Sequence, residues 1–154
     1  MATLSVNITE SIIINGKDQG GTYSGFTNSS ITQVEKRQIN ITTTEVSLYG
    51  TSGSQANATG GPLWDRDKVK YVRITNLDTT TTNFILIVVK NADNDEFLIK
   101  LYGTESFLLH RHVNSMHAKE GAAAVGDVGD ITLVTAQADT STQAVEFFIA
   151  SEAL

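Results

Sequence analysis

Three histidines, two acidic loops and a single tryptophan are the residues whose chemistry comes first to attention. His110 and His112 stand two apart, so on a strand they share a face, and His117 follows. Two imidazoles on one face are the start of a metal site, but zinc needs further ligands and supporting hydrogen bonds. The simpler reading is structural or solvent-exposed histidine. Asp93, Asp95 and Glu96 make one acidic loop, and Asp127 and Asp130 another. Hard cations favour such oxygens, yet the spacing of a calcium loop, with its central Gly and closing Glu, is absent, and solvated turns are the expectation. No cysteine is present, which removes thiolate metal sites, disulfides and a thiol nucleophile. The chain also lacks a nucleophile elbow, a P-loop and a dinucleotide fingerprint. These readings predict a protein that is not an enzyme and carries no cofactor or metal.

Trp64 stands between the Gly-rich stretch 50–61 and the charged run Asp65-Arg66-Asp67. An aromatic at such a border caps a core, anchors an interface or stacks on a sugar. Trp and Arg dominate interface energetics, so Trp64 and Arg66 are chosen as interface anchors. Tyr23 and Phe26 lie in Lys17–Ser30, which is rich in Gly, Ser, Asn and Asp and reads as a surface loop. The two aromatics are expected to pin it to the body, and they complete the candidate interface set. Four Asn-X-Ser/Thr sequences, at Asn7, Asn28, Asn40 and Asn57, match the glycosylation acceptor pattern. The start of the chain lacks the basic and apolar regions of a signal peptide, so they read as accidents of an Asn- and Thr-rich composition.

The elements that must carry these residues are all strands. Leu4, Val6, Ile8, Ile12 and Ile14 alternate, which predicts a long strand bent near 9–11 and closed by the Asn15-Gly16 turn. A change of phase between Ile39/Ile41 and Val46/Leu48 predicts a bulge or bend around 42–44. The stretch from Val69 to Val113 organises the rest, with four β-rich runs in a meander. Phe84–Val89 is continuously apolar and suits a strand covered on both faces. Val69 and Tyr71 oppose Val72 and Ile74 in phase, so that strand too is expected to be covered on both sides. Tyr102-Gly103-Thr104-Glu105 has Gly at the first central position, as a type II′ hairpin needs. That turn would set Ile99 opposite Leu108, Leu98 opposite Leu109 and Glu96 opposite Arg111. A last hairpin is predicted from 131–136 and 145–150, with Val145, Phe147 and Ile149 on its apolar face.

The fold class is therefore all-β: one antiparallel β-sandwich domain over 1–154, of jelly-roll type, with a closed barrel as the alternative. The 154 residues suffice for a core without staples. A net charge of −6, with 11 scattered Lys and Arg, argues against nucleic acid as the main partner. No apolar run is long enough to cross a bilayer as a helix.

The phrases VRITNLDTTTTNFILIVVKNADNDEFLIKLYGTESFLL and DITLVTAQADTSTQAVEFFIA resemble the structural proteins of tailed-bacteriophage particles. The likeness is one of texture from Val69 to the C-terminus, and head decoration (cement) proteins are the nearest style. It implies a non-enzymatic homo-oligomer, with a trimer favoured, that binds the major capsid protein and resides in the virion after assembly in the host cytoplasm. A carbohydrate-binding or tail-fibre module is the alternative, expected to show Trp64 and Tyr23 on an exposed aromatic platform.

Overall fold

The computed structural model describes residues 2–51, 63–65, 68–91, 95–110 and 131–152, apart from the side chains of Ser24, Leu63 and His110. Within these the chain forms β1 (Ala2–Glu10), β2 (Ile13–Ile14), β3 (Lys17–Asp18), β4 (Gly21–Ile41), β5 (Val46–Thr51) and β6 (Leu63–Trp64). They are followed by β7 (Val69–Asn76), β8 (Phe84–Asn91), β9 (Glu96–Tyr102), β10 (Ser106–His110), β11 (Ile131–Ala138) and β12 (Gln143–Glu152). One sheet has the order β1-β4-β12-β7-β10, the other β6-β5-β11-β8-β9, and β2-β3 form a small ribbon. All pairings are antiparallel except the short β5–β6 contact.

The two sheets bury their facing sides in one core. Val72, Ile74, Val145, Phe147 and Ile149 come from the first sheet, and Tyr49, Ile85, Ile87, Val134 and Ala136 from the second, all fully buried. Alternation along each strand sends these residues inward and their neighbours outward. Tyr49 and Phe147 meet across the gap with ring centroids 5.8 Å apart. At one end a polar clasp ties the sheets together. Buried Asn76 donates to the Leu101 carbonyl at 3.1 Å and to Gln143 Oε1 at 2.9 Å, and Gln143 Nε2 donates to the Phe84 carbonyl at 2.9 Å. Such groups are tolerated in a core only when paired.

Several expectations hold. The first strand breaks after Glu10, and Asn15 (φ 51) and Gly16 (φ 75) form the tight turn that follows. Both central residues have positive φ, as a type I′ turn requires. Val145, Phe147 and Ile149 are the apolar face of β12, and Val69, Tyr71, Val72 and Ile74 are all buried. In β8, Ile85, Ile87 and Val89 point inward, while Val88 on the other face is also covered. The phase change after Ile41 is a bend that carries the chain from one sheet to the other.

Others are corrected. β9 pairs with β8 and β10 with β7, so Ile99 faces Ile87 and Leu108 faces Arg73, and the meander hairpin does not form. Tyr102–Glu105 is instead the corner between the sheets. The positive φ falls on Thr104 (73°) rather than Gly103. That is a type II arrangement, with the turn closed by Glu105 N donating to the Tyr102 carbonyl at 3.1 Å. Gly103 is needed for space, since a Cβ there would sit 2.6 Å from the carbonyl oxygens of both Asp78 and Thr80. Likewise β11 and β12 belong to different sheets and do not form a final hairpin. Lys17–Ser30 is no loop: it is β3 and the first half of β4.

Candidate docking surfaces

β4 is 21 residues long and serves two partners. Its second half pairs with β12 from Ile31 to Ile41, and its first half pairs with β1 from Gly21 to Ile31. The first half therefore reaches past the end of β12 as a two-stranded arm. Near the base of the arm, Leu4 and Val6 of β1 pack with Ile31, Tyr71, Ala150, Leu108 and Phe148. This is a second apolar cluster, on the outer face of the first sheet. Beside it β1 and the sheet enclose a cleft of about 300 Å³ lined by Ser5, Asn7, Lys36, Tyr71, Arg73 and Phe148. Glu146 bridges Lys36 at 3.0 Å and also pairs with Arg73. The hydrogen bond from Lys36, ahead of the charges of Lys36 and Arg73, holds the Glu146 carboxyl below the usual glutamate range.

At the far end of the arm the chain is stitched. Asp18 Oδ1 accepts from the backbone N–H of Gly20 at 2.8 Å and of Ile12 at 3.1 Å, and Oδ2 accepts from Ser11 Oγ at 3.1 Å. These bonds, the Gly20 one foremost, lower the Asp18 pKa. Gln19 N closes the ribbon on the Ile12 carbonyl at 2.8 Å, and Gly20 lies so close to the Glu10 carbonyl that no side chain fits. The stitched tip exposes three consecutive isoleucines, Ile12 (55%), Ile13 (72%) and Ile14 (52%), and Tyr23 (61%) is exposed nearby along β4. Scattered exposed apolar residues are ordinary, but here three stand together on one hydrogen-bonded tip, which makes it the candidate docking surface.

The four candidate interface residues separate. Tyr23 lies on the arm opposite Ile8, exposed, and Phe26 lies opposite Val6, half-buried. Trp64 is half-buried against the main core, with its Nε1 enclosed and lacking a hydrogen-bond partner. That position suits a cap on the core, one of the three roles the sequence left open, and leaves part of the ring exposed. Arg66 lies outside the described residues. So do His112, His117, Asp93, Asp127, Asp130 and Arg111, and of His110 only the backbone, at the end of β10, is described. Asp95 clasps Asn91, exchanging two hydrogen bonds of 2.8 Å, and Glu96 bridges Lys90 at 3.0 Å. Among the described residues no three His, Asp or Glu side chains gather as a metal site would require. The isoleucine tip was within reach of the sequence: Ile12-Ile13-Ile14 breaks strict alternation just before an Asn-Gly turn, where one face of a strand cannot bury all three. Compared with known proteins, the chain matches no family model, no curated protein and no solved structure.

Proposed function

We propose that this chain is a structural protein of a bacteriophage particle that binds the major capsid protein and stabilises the shell as a decoration protein. The observation that carries the reading is the ordered arm with Ile12, Ile13 and Ile14 bare at its tip. An apolar tip held in one conformation loses little entropy on binding, so its buried area converts efficiently into affinity. Attachment at many equivalent sites on a lattice makes modest contacts effective. The strand order supports the same reading. Pairing is nested, β4 with β12, β5 with β11, β7 with β10 and β8 with β9. We read this as a jelly roll, an architecture shared by viral capsid and lectin domains.

The test titrates shells lacking the protein with wild type, Ile13→Asp and Trp64→Ala. Ile13→Asp is expected to weaken shell binding by about tenfold or more with an unchanged melting midpoint, since a charge replaces a contact of the kind that costs ~1–2 kcal/mol. Trp64→Ala is expected to lower the melting midpoint. Absence of shell binding by the wild type, or selective binding of a glycan through Tyr23, would overturn the reading.

A further inference from the structure

Strand β9 ends the second sheet, and it differs from the other edges. Among the described residues, β1 carries two register shifts, β6 is two residues long, and β10 is five residues long and exposes no large apolar side chain. β9 runs seven residues in unbroken register with β8 and exposes Phe97 (47%), Leu98 (51%) and Tyr102 (38%). A regular, apolar edge is a template for another strand, and proteins ordinarily blunt it.

The phase of the ladder shows which backbone groups are free. Gly103 N donates to the Asn83 carbonyl at 3.0 Å, and Asn91 N to the Asp95 carbonyl at 3.1 Å. In the same antiparallel register the odd-numbered residues of β9 turn their N–H and C=O groups to β8. Leu98 and Lys100 turn theirs to the open edge. The charges have a matching symmetry: the segment reads Glu96-Phe97-Leu98-Ile99-Lys100, acid at one end and base at the other, equidistant from Leu98. Lys100 lies 4.5 Å above the Phe84 ring and, among the described residues, has no carboxylate partner.

We propose that β9 is the contact of a two-fold homodimer, pairing antiparallel with β9 of a second copy around Leu98. In that register Leu98 meets Leu98 of the other copy at the axis, exchanging both backbone hydrogen bonds. Glu96 then lies opposite Lys100 at either side, and Phe97 opposite Ile99. The two second sheets become one continuous sheet, and the outward apolar row of Leu86, Val88 and Leu98 runs across the join. In a parallel pairing the like charges would face one another, and in a pairing shifted by two residues Glu96 and Lys100 would lose each other, so the charges select this register. The inference is independent of shell binding, which is measured separately.

Sedimentation equilibrium of the full chain is expected to give twice the 16.6 kDa chain mass. Glu96→Lys and Lys100→Glu each place like charges opposite one another twice, and each is expected to weaken the dimer by about tenfold or more. Mixing the two single variants restores association as a heterodimer, and the double variant Glu96→Lys/Lys100→Glu restores the homodimer. Circular dichroism checks that every variant is folded. A wild type that stays monomeric at submillimolar concentration, a trimer, or a dimer indifferent to the single substitutions would overturn the proposal. So would a double variant that fails to recover.

Discussion

The outer faces of the two sheets start alike and finish differently. On the first sheet, Tyr71, Phe148 and Ala150 point away from the core, and β1 folds Leu4 and Val6 over them. On the second sheet, Phe84, Leu86, Val88, Leu98 and Tyr102 also point away from the core, and Leu98 and Tyr102 remain exposed. The first face is completed by the chain itself and the second is left apolar at its margin. The apolar margin left exposed there is the surface on which the proposed dimer contact rests.

The contrast can be tested by substitutions graded against the shared interior. Phe147→Ala removes the ring that packs against Tyr49 and Arg37, and is expected to cost about 3–5 kcal/mol in denaturant unfolding. That value sets the scale for a residue both sheets depend on. Asn76→Ala, which strips partners from the Leu101 carbonyl and Gln143, is expected to cost about 2–3 kcal/mol. Tyr71→Ala should follow at about 2 kcal/mol if the cover provided by β1 stabilises the fold. A loss as small as that of a surface site would equate the two outer faces and remove the contrast. Leu98→Ala, measured in dilute protein, is expected to stay within about 0.5 kcal/mol.

The smallest effect is electrostatic and belongs to the first sheet. The folded-state pKa of Glu146 is depressed, so its contribution is present above the unfolded value of roughly 4.3 and is lost as pH falls through the lower folded value. Glu146→Gln should therefore lower the melting midpoint slightly at neutral pH, and its shallower acid limb should meet that of the wild type once the pH lies below the folded value. An identical acid limb in both proteins would show that Lys36 and Arg73 are screened by solvent.

The elements were legible where burial imposes a period. Val145, Phe147 and Ile149 alternate because one face of β12 meets the core, and Phe84–Val89 is apolar throughout because β8 lies mid-sheet. Asn15-Gly16 announced its turn because the left-handed backbone suits those two residues. Partner choice was not legible. Ile99 and Leu108 match as a cross-strand pair, yet Ile99 pairs with Ile87 across the preceding loop, and Leu108 pairs with Arg73, far away in sequence. Apolar complementarity along a strand says that it pairs and not with which strand. The arm was hidden for the opposite reason. Apart from Tyr23 and Phe26, Thr22 to Ser30 is small and polar because most of it faces water, so the composition of a loop conceals a strand. Trp64 was read as an anchor from its flanking charges, and it lies half-buried against the core.

The shared strand β4 also has a mechanical meaning. Its arm half and its core half are one uninterrupted backbone, gripped by β12 along the whole stretch from Ile31 to Ile41. A pull on the isoleucine tip along the strand loads those hydrogen bonds side by side, in shear, instead of peeling them one after another. The tip is thus moored to the centre of the first sheet, and a load applied there would spread through the body of the protein before any single bond gave way.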